Sequence, residues 1–419
     1  MRKLTDKKHI NNLIFLCSVI YFTSYISRIN LAAVILDIVR SEGFLSSEIS
    51  LAITGSFITY GAGQIISGYL CDKFSPKYIL FMGLLATALM NFLIPLCPTA
   101  SYMVLLWSVN GFAQALMWPP ISKILATMLN PQDYRNASTK VSWGSSFGTI
   151  AVYIIAPLCV SFSNWKSIFW IACFACLFMS VIWLVCFGKI EKLTYNDNTV
   201  RACSVSAIHN RSAHENISSN SAIGILALLL IVITCIGALR DSITTWMPTY
   251  IGETFNLGSS VSILTGVVLP IFSIANYQLA SWIYGNKIKN ELTCSGVFFA
   301  ITLVFSLLLM LTSNRMALLS VLCFALLSGS MHGAGLMLTC MIVPYFKRPG
   351  LMAGILNSCT YMGSAASTYG IAVVSEKFGW SATIIVWTLI ALIGTVLCFS
   401  IAKNWGKSYT FANKKQSGR

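Results

Sequence analysis

Long apolar runs, each closed by a short polar or charged stretch, fill most of the chain. A helical crossing of a bilayer needs about 20 apolar residues. Twelve runs meet that length. The first six cover residues 11–38, 49–71, 77–97, 101–127, 137–161 and 167–188. The second six cover 222–250, 260–284, 291–312, 316–343, 350–374 and 381–402. Between the sets lies the polar stretch Lys189 to Ser221. The pattern predicts an all-α membrane protein with twelve transmembrane helices in two six-helix halves. Its divisions are 1–188 for the first half, 189–221 for a cytoplasmic central loop, 222–405 for the second half and 406–419 for a cytoplasmic tail.

The halves repeat landmarks at a nearly constant offset. Arg28 and Arg240 are 212 positions apart, and Gly148 and Gly363 are 215 apart, as are Trp165 and Trp380. Each match is weak alone; together they point to a duplicated six-span unit. Two such halves about an axis along the membrane normal, with a binding site at midplane, resemble the major facilitator fold.

Composition agrees with a membrane protein and narrows its function. Hydrophobic residues make up 56% of the chain and charged ones 10%, where soluble proteins carry about 25% charged. Mean hydropathy is +0.74. The net charge of +15 does not point to nucleic acid, because the basic residues are spread over short loops and both tails. Of the lysines and arginines, 22 fall on the side of the termini and 4 on the other. That bias predicts both termini in the cytoplasm of a multi-pass protein of the inner (plasma) membrane. The basic start runs into a span that continues, so no removable signal peptide is expected. The 14 cysteines are scattered singly through apolar runs without metal-ligand spacing, as small membrane-core residues are. No metal site, no cofactor and no nucleophile–base pair is visible, which argues against an enzyme. The expected partners are the lipid bilayer and a small anionic substrate, the chain acting as a monomer.

Arg28 and Arg240 are the basic residues placed at membrane depth. A charge at membrane depth costs about 2.5–3.5 kcal/mol on insertion scales, and arginine does not escape it by losing its proton. Each arginine lies 17 or 18 residues from the start of its span, so the two sit at similar depth. A guanidinium presents a planar fork of donors that matches phosphate or carboxylate. Two forks facing across a cavity can clamp one dianionic group. Alternatively, each arginine pairs with a nearby acid, Asp37 or Asp241. Asp241 is adjacent to Arg240, which turns its side chain about 100° away on the helix. Buried carboxylates for a proton relay are otherwise scarce, which favours exchange of one anion for another. His332, beside Gly333 and Gly335, is the histidine at membrane depth and reads equally well as a core residue or a ligand. Tyr60, Gln64, Ser145 and Tyr361 are polar groups within spans that can line a cavity or join helices.

Two segments suggest conformational roles. Gly68 to Lys77, with Asp72 and Lys73, joins spans two and three. Its glycine permits close helix approach, and its acid can meet a helix N-terminus or a basic loop. The matching stretch of the second half has Gly285 where an acid is expected. Trp118, Pro119 and Pro120 interrupt span four, freeing backbone carbonyls and bending the helix.

These residues resemble the organophosphate:phosphate antiporters of the major facilitator superfamily, such as the bacterial glycerol-3-phosphate and hexose-phosphate transporters. The resemblance rests on Tyr25-Ile-Ser-Arg28-Ile-Asn30, the Gly68–Lys77 stretch, Asn110-Gly111, Trp118-Pro119-Pro120 and Arg240 through Trp246-Met-Pro248-Thr-Tyr250. It implies that Arg28 and Arg240 hold the substrate's phosphate and that an organic phosphate ester is exchanged for inorganic phosphate by alternating access. The chain departs from the family pattern at Ile29 and Gln64, where the family carries lysines, at Ser145 for a histidine, and near Pro270 for an acid. A site with two positive charges and fewer auxiliary ones opens two alternatives: a proton- or sodium-coupled carboxylate symporter, and a transporter-like sensor of a phosphorylated ligand.

Overall fold

The computed structural model describes residues 3–44, 46–194, 219–256, 265–312, 316–346 and 348–414. Most of the central loop and the last five residues of the tail lie outside them.

Helices α1 (Lys7–Ala33), α3 (Ser46–Lys73) and α4 (Pro76–Leu93) make the first three crossings, with a short α2 (Ile35–Glu42) after α1. The fourth crossing is broken into α5 (Ala100–Ala115) and α6 (Trp118–Met128). Pro119 sits in the first turn of α6, where its missing N–H is no loss. Helix α7 (Pro131–Phe162) is the fifth crossing. The sixth is α8 (Ser167–Ile182), a π-turn at Trp183–Phe187 and α9 (Gly188–Thr194). The second half comprises α10 (Ser219–Phe255), α11 (Val268–Asn286), α12 (Glu291–Thr312), α13 (Ala317–Gly335) and α14 (Pro349–Lys414).

Helix α14 contains the last two crossings. They meet at Gly379, whose φ of 77° and ψ of 177° suit a residue without a Cβ. Some bounds differ from the sequence expectation. The first crossing breaks at Val34 rather than continuing to residue 38. Helix extends past 188 to Thr194, α10 is described from Ser219, and helix reaches Lys414 at the far end. Eight of the helical segments are long and apolar enough to cross a membrane on those grounds alone. The remainder includes α3, α11 and the two short pieces α5 and α6, which supply residues to the interior.

The duplication is visible in packing. Gly148 of α7 lies against the Phe22 carbonyl of α1, and Gly363 of α14 lies against the Thr234 carbonyl of α10. A Cβ at either glycine would overlap backbone. Small residues here let helices approach closely, which drives association where lipid supplies no hydrophobic gain. Trp165 Nε1 donates to Glu42 Oε1 at 3.2 Å, and Trp380 Nε1 donates to Glu253 Oε2 at 2.8 Å. The matched tryptophans therefore tie the start of the last crossing to the end of the first in each half.

The halves also meet each other at the end that carries the termini. Gly68 of α3 packs on Gly350 and Leu351 of α14, and Gly354 packs on the Gln64 carbonyl. Asp72 Oδ2 accepts the backbone N–H of Leu351 at 3.0 Å, while Oδ1 lies 3.5 Å from Lys123 Nζ. The carboxylate thus meets both a helix N-terminus and a cation. Lys73 is not part of this pairing; it is exposed and turns its ammonium over the Tyr69 ring, 4.5 Å from the centroid. Tyr134 of α7 donates to the Cys340 carbonyl at 2.6 Å and adds a second bond across the halves. In place of an acid at Gly285, the Arg135 guanidinium of the first half packs directly over that glycine. A side chain there would collide with it.

Candidate functional site

A small cavity lies between the halves. Tyr21 and Tyr25 of α1, Trp118 of α6, and Ser142 and Ser145 of α7 line it from the first half. From the second half come Arg240 of α10, Tyr277 of α11, His332 and Gly335 of α13, Leu336, Thr339 and Cys340 of the π-turn Leu336–Met341 that follows α13, and Asn357 and Tyr361 of α14.

The two arginines meet on one ring. The Tyr361 centroid is 4.8 Å from Arg28 Cζ and 5.8 Å from Arg240 Cζ. The two cations are thus no more than about 10.6 Å apart. Arg28 does not line the cavity itself. It lies behind a tyrosine cage, with Tyr60 at 4.0 Å and Tyr25 at 5.6 Å as well as Tyr361. Aromatic faces offset the cost of a buried cation through the ring quadrupole and leave its N–H donors unused. Among the described residues no acid pairs with Arg28, Asp37 included. Tyr60 and Tyr361 themselves pack edge to face at 4.4 Å, so the cage spans the boundary between the halves.

Arg240 differs. Its Nε donates to Asp241 Oδ1 at 2.7 Å and its Nη2 to Oδ2 at 2.9 Å. The expectation that Asp241 points away is corrected here. Neighbouring Cβ atoms do diverge, but the arginine stem is long enough to swing its fork back onto the adjacent carboxylate. Ser364 of α14 also donates to Asp241 Oδ2, at 2.5 Å, which holds the carboxylate in place. Charge-assisted, two-point bonds of this type are strong and geometrically fixed.

His332 lines the cavity. Its Nδ1 lies 2.8 Å from the Ser328 carbonyl. A carbonyl can only accept, so Nδ1 carries the hydrogen and Nε2 remains an acceptor. Ser273 Oγ, 3.1 Å from the same nitrogen, and the edge-to-face Tyr277 ring hold the imidazole. A ring acceptor beside a guanidinium suits a ligand that carries both a hydroxyl and an anionic group. Ser145 lines the cavity with its hydroxyl bonded to the Ser142 carbonyl at 2.7 Å.

Gln64 is placed elsewhere. It is fully buried between α3, α5 and α14, and its Nε2 donates to the Ala115 carbonyl at 3.3 Å. It serves helix packing, not the cavity. Trp118 stands at the break of the fourth crossing and also forms part of the wall, packing on Tyr21 at 5.2 Å. Pro119 and Pro120 are buried behind it. Tyr21, Ser142 and Thr339 were not singled out from the sequence. Their spacing carried a signal: Tyr21, Tyr25 and Arg28 fall at i, i+4 and i+7, one face of a helix, and so do His332, Leu336 and Thr339.

Known proteins are similar over nearly the whole chain. A hexose phosphate transport protein named as probable, from Chlamydia muridarum, is 22% identical over 89% of this chain and 86% of its own. The glycerol-3-phosphate transporter of Bacillus subtilis is 23% identical over 92% of this chain and 90% of its own. A proton:xylose symporter structure superposes with a TM-score of 0.76 at 11% identity, covering 94% of this chain and 96% of that one. It shares the fold alone. These relatives are transporters and not enzymes, and the resemblance to the organophosphate branch stands in the two sequence relatives. The Major Facilitator Superfamily model matches residues 17–368; with twelve crossings in two halves about a central cavity, the chain belongs to that superfamily and is a membrane transporter.

Proposed function

We propose that this transporter carries an organic phosphate ester of the sugar-phosphate or glycerol-phosphate type, exchanging it for inorganic phosphate by alternating access. One observation carries the reading: Arg28 and Arg240, from matched helices of the two halves, meet at Tyr361 between the halves. Arginine forks match a phosphoryl group, and the relatives named as hexose phosphate and glycerol-3-phosphate transporters support that class of ligand. Access of a phosphoryl group to Arg28 requires movement of Tyr361, whose ring covers it. The basic residues favour both termini in the cytoplasm. The contacts of Asp72 and Tyr134 then close the cytoplasmic end.

Counterflow in vesicles tests the reading. Purified protein, acting as a monomer, is reconstituted with internal phosphate, and uptake of labelled glucose 6-phosphate and glycerol 3-phosphate is measured. Internal phosphate accelerates the uptake of at least one ester. No acceleration of either overturns exchange.

A second reading is favoured by the Arg240–Asp241 pair, which leaves the site with one net positive charge. A monoanionic carboxylate, entering with a proton or sodium ion, fits that charge. Uptake of labelled carboxylates driven by a proton or sodium gradient, without internal phosphate, supports it; no gradient-driven uptake removes it.

A further inference from the structure

Resting on the reading of the cavity as an anion site, we propose that Asp241 sets the charge of the accepted substrate, so that the site takes an anion with one net negative charge. A phosphate dianion then enters with one proton, carried on its own phosphoryl oxygen.

The geometry of Arg240 supports this. A guanidinium has two edges able to grip an anion with paired donors. Asp241 occupies the edge formed by Nε and Nη2. The edge formed by Nη1 and the second Nη2 hydrogen is left for a ligand. Asp241 therefore does not block Arg240; it orients the free edge and cancels the charge. Ser364 holds Asp241 from the opposite helix, so the counter-charge is built in. Around the ligand position, Arg28 supplies the uncompensated charge. A dianion would leave the loaded cavity net negative, which is costly in a medium of low dielectric; a monoanion leaves it neutral.

Other groups face Asp241 and bear on any pH dependence. Besides Arg240 on α10 and Ser364 on α14, the group facing it is His332 on α13; Tyr361, Tyr277 and Tyr25 line the cavity around Arg240. His332 is the imidazole among them, the side-chain type whose ordinary pKa lies nearest that of phosphate, so His332→Gln is the control.

The test measures calorimetric binding to the full-length protein in detergent. Sulfate and methyl sulfate stay fully ionised between pH 5 and 8 and carry two charges and one. Wild type binds methyl sulfate at least about tenfold more tightly than sulfate, and Asp241→Asn reverses the order. Inorganic phosphate gives a second readout. Its wild-type Kd rises about tenfold per pH unit above pH 7, as one linked proton requires. The rise persists in His332→Gln and disappears in Asp241→Asn. Ser364→Ala, which loosens the carboxylate without removing it, moves the sulfate to methyl sulfate ratio the same way by a smaller factor. That variant decides the matter should Asp241→Asn not fold. A ratio unchanged in Asp241→Asn, or in Ser364→Ala where only it folds, overturns the proposal. Binding of the sulfates with the stated reversal, but of no phosphate or phosphate ester, keeps the proposal and overturns the phosphate reading above.

Discussion

In α1, Arg28 is surrounded by the faces of Tyr25, Tyr60 and Tyr361 and has no acidic partner among the described residues. In α10, Arg240 gives two of its N–H donors to Asp241. The two residues occupy corresponding places in duplicated halves, yet the cost of their charge is offset by different means. Aromatic faces stabilise a cation while preserving both its charge and its donors. A carboxylate stabilises it by cancelling the charge and using up an edge. One half thus supplies attraction and the other supplies orientation. The same asymmetry recurs at the end that carries the termini, where Asp72 caps α14 in one half and the Arg135 guanidinium covers Gly285 in the other.

Four measurements sharpen or break that comparison. The largest effect falls on the arginines. Arg28→Lys and Arg240→Lys each lower uptake in vesicles at least about 100-fold with normal membrane levels, since a point charge cannot reproduce the fork. Full uptake by either variant removes that arginine from the site. Next come the matched glycines. Gly363→Ala and Gly148→Ala each destabilise by about 1–3 kcal/mol, the usual cost of overpacking, read as a lowered thermal midpoint in detergent. A large effect from one and none from the other would mean the two helix pairs are not equivalent. The latch is weaker. Asp72→Asn shifts the carrier toward opening at the terminal end by about 1 kcal/mol, the scale of a helix-terminus charge. Alkylation of Cys340 from that side then quickens about fivefold; an unchanged rate shows that Asp72 does not hold the end closed. The smallest effects belong to Trp165→Phe and Trp380→Phe. Each loses one hydrogen bond, worth about 1 kcal/mol, and the two thermal shifts should agree if the bonds are true counterparts.

Much of the fold could be read from the chain because membrane crossings announce themselves by length and apolarity. The arginines were equally legible, since charge inside such a run is rare. The pairing of Arg240 with Asp241 was not, because helical phase describes where a Cβ points and not where a long stem ends. Gln64 misled for a related reason: its polarity suggested a cavity, but the contact of α3 with α5 and α14 takes that face. Tyr21 and Thr339 were within reach by spacing from Arg28 and His332, had the cavity face of each helix been followed along its turns. The break at Val34 has no proline or glycine to mark it, and only the packed structure reveals it.

The close approach of Gly68 to Gly350 and of Gly354 to Gln64 has a kinetic meaning. Surfaces made of backbone have no interlocked side chains to disengage, so they act as a bearing. What holds them shut is mainly the bond from Leu351 to Asp72 and that from Tyr134 to Cys340, together worth a few kcal/mol. Collective rocking of domains takes microseconds to milliseconds, and bonds of that strength slow it by about a hundredfold at most. The tempo of reorientation is then set by the bearing and its two fasteners, independently of how tightly any cargo is gripped.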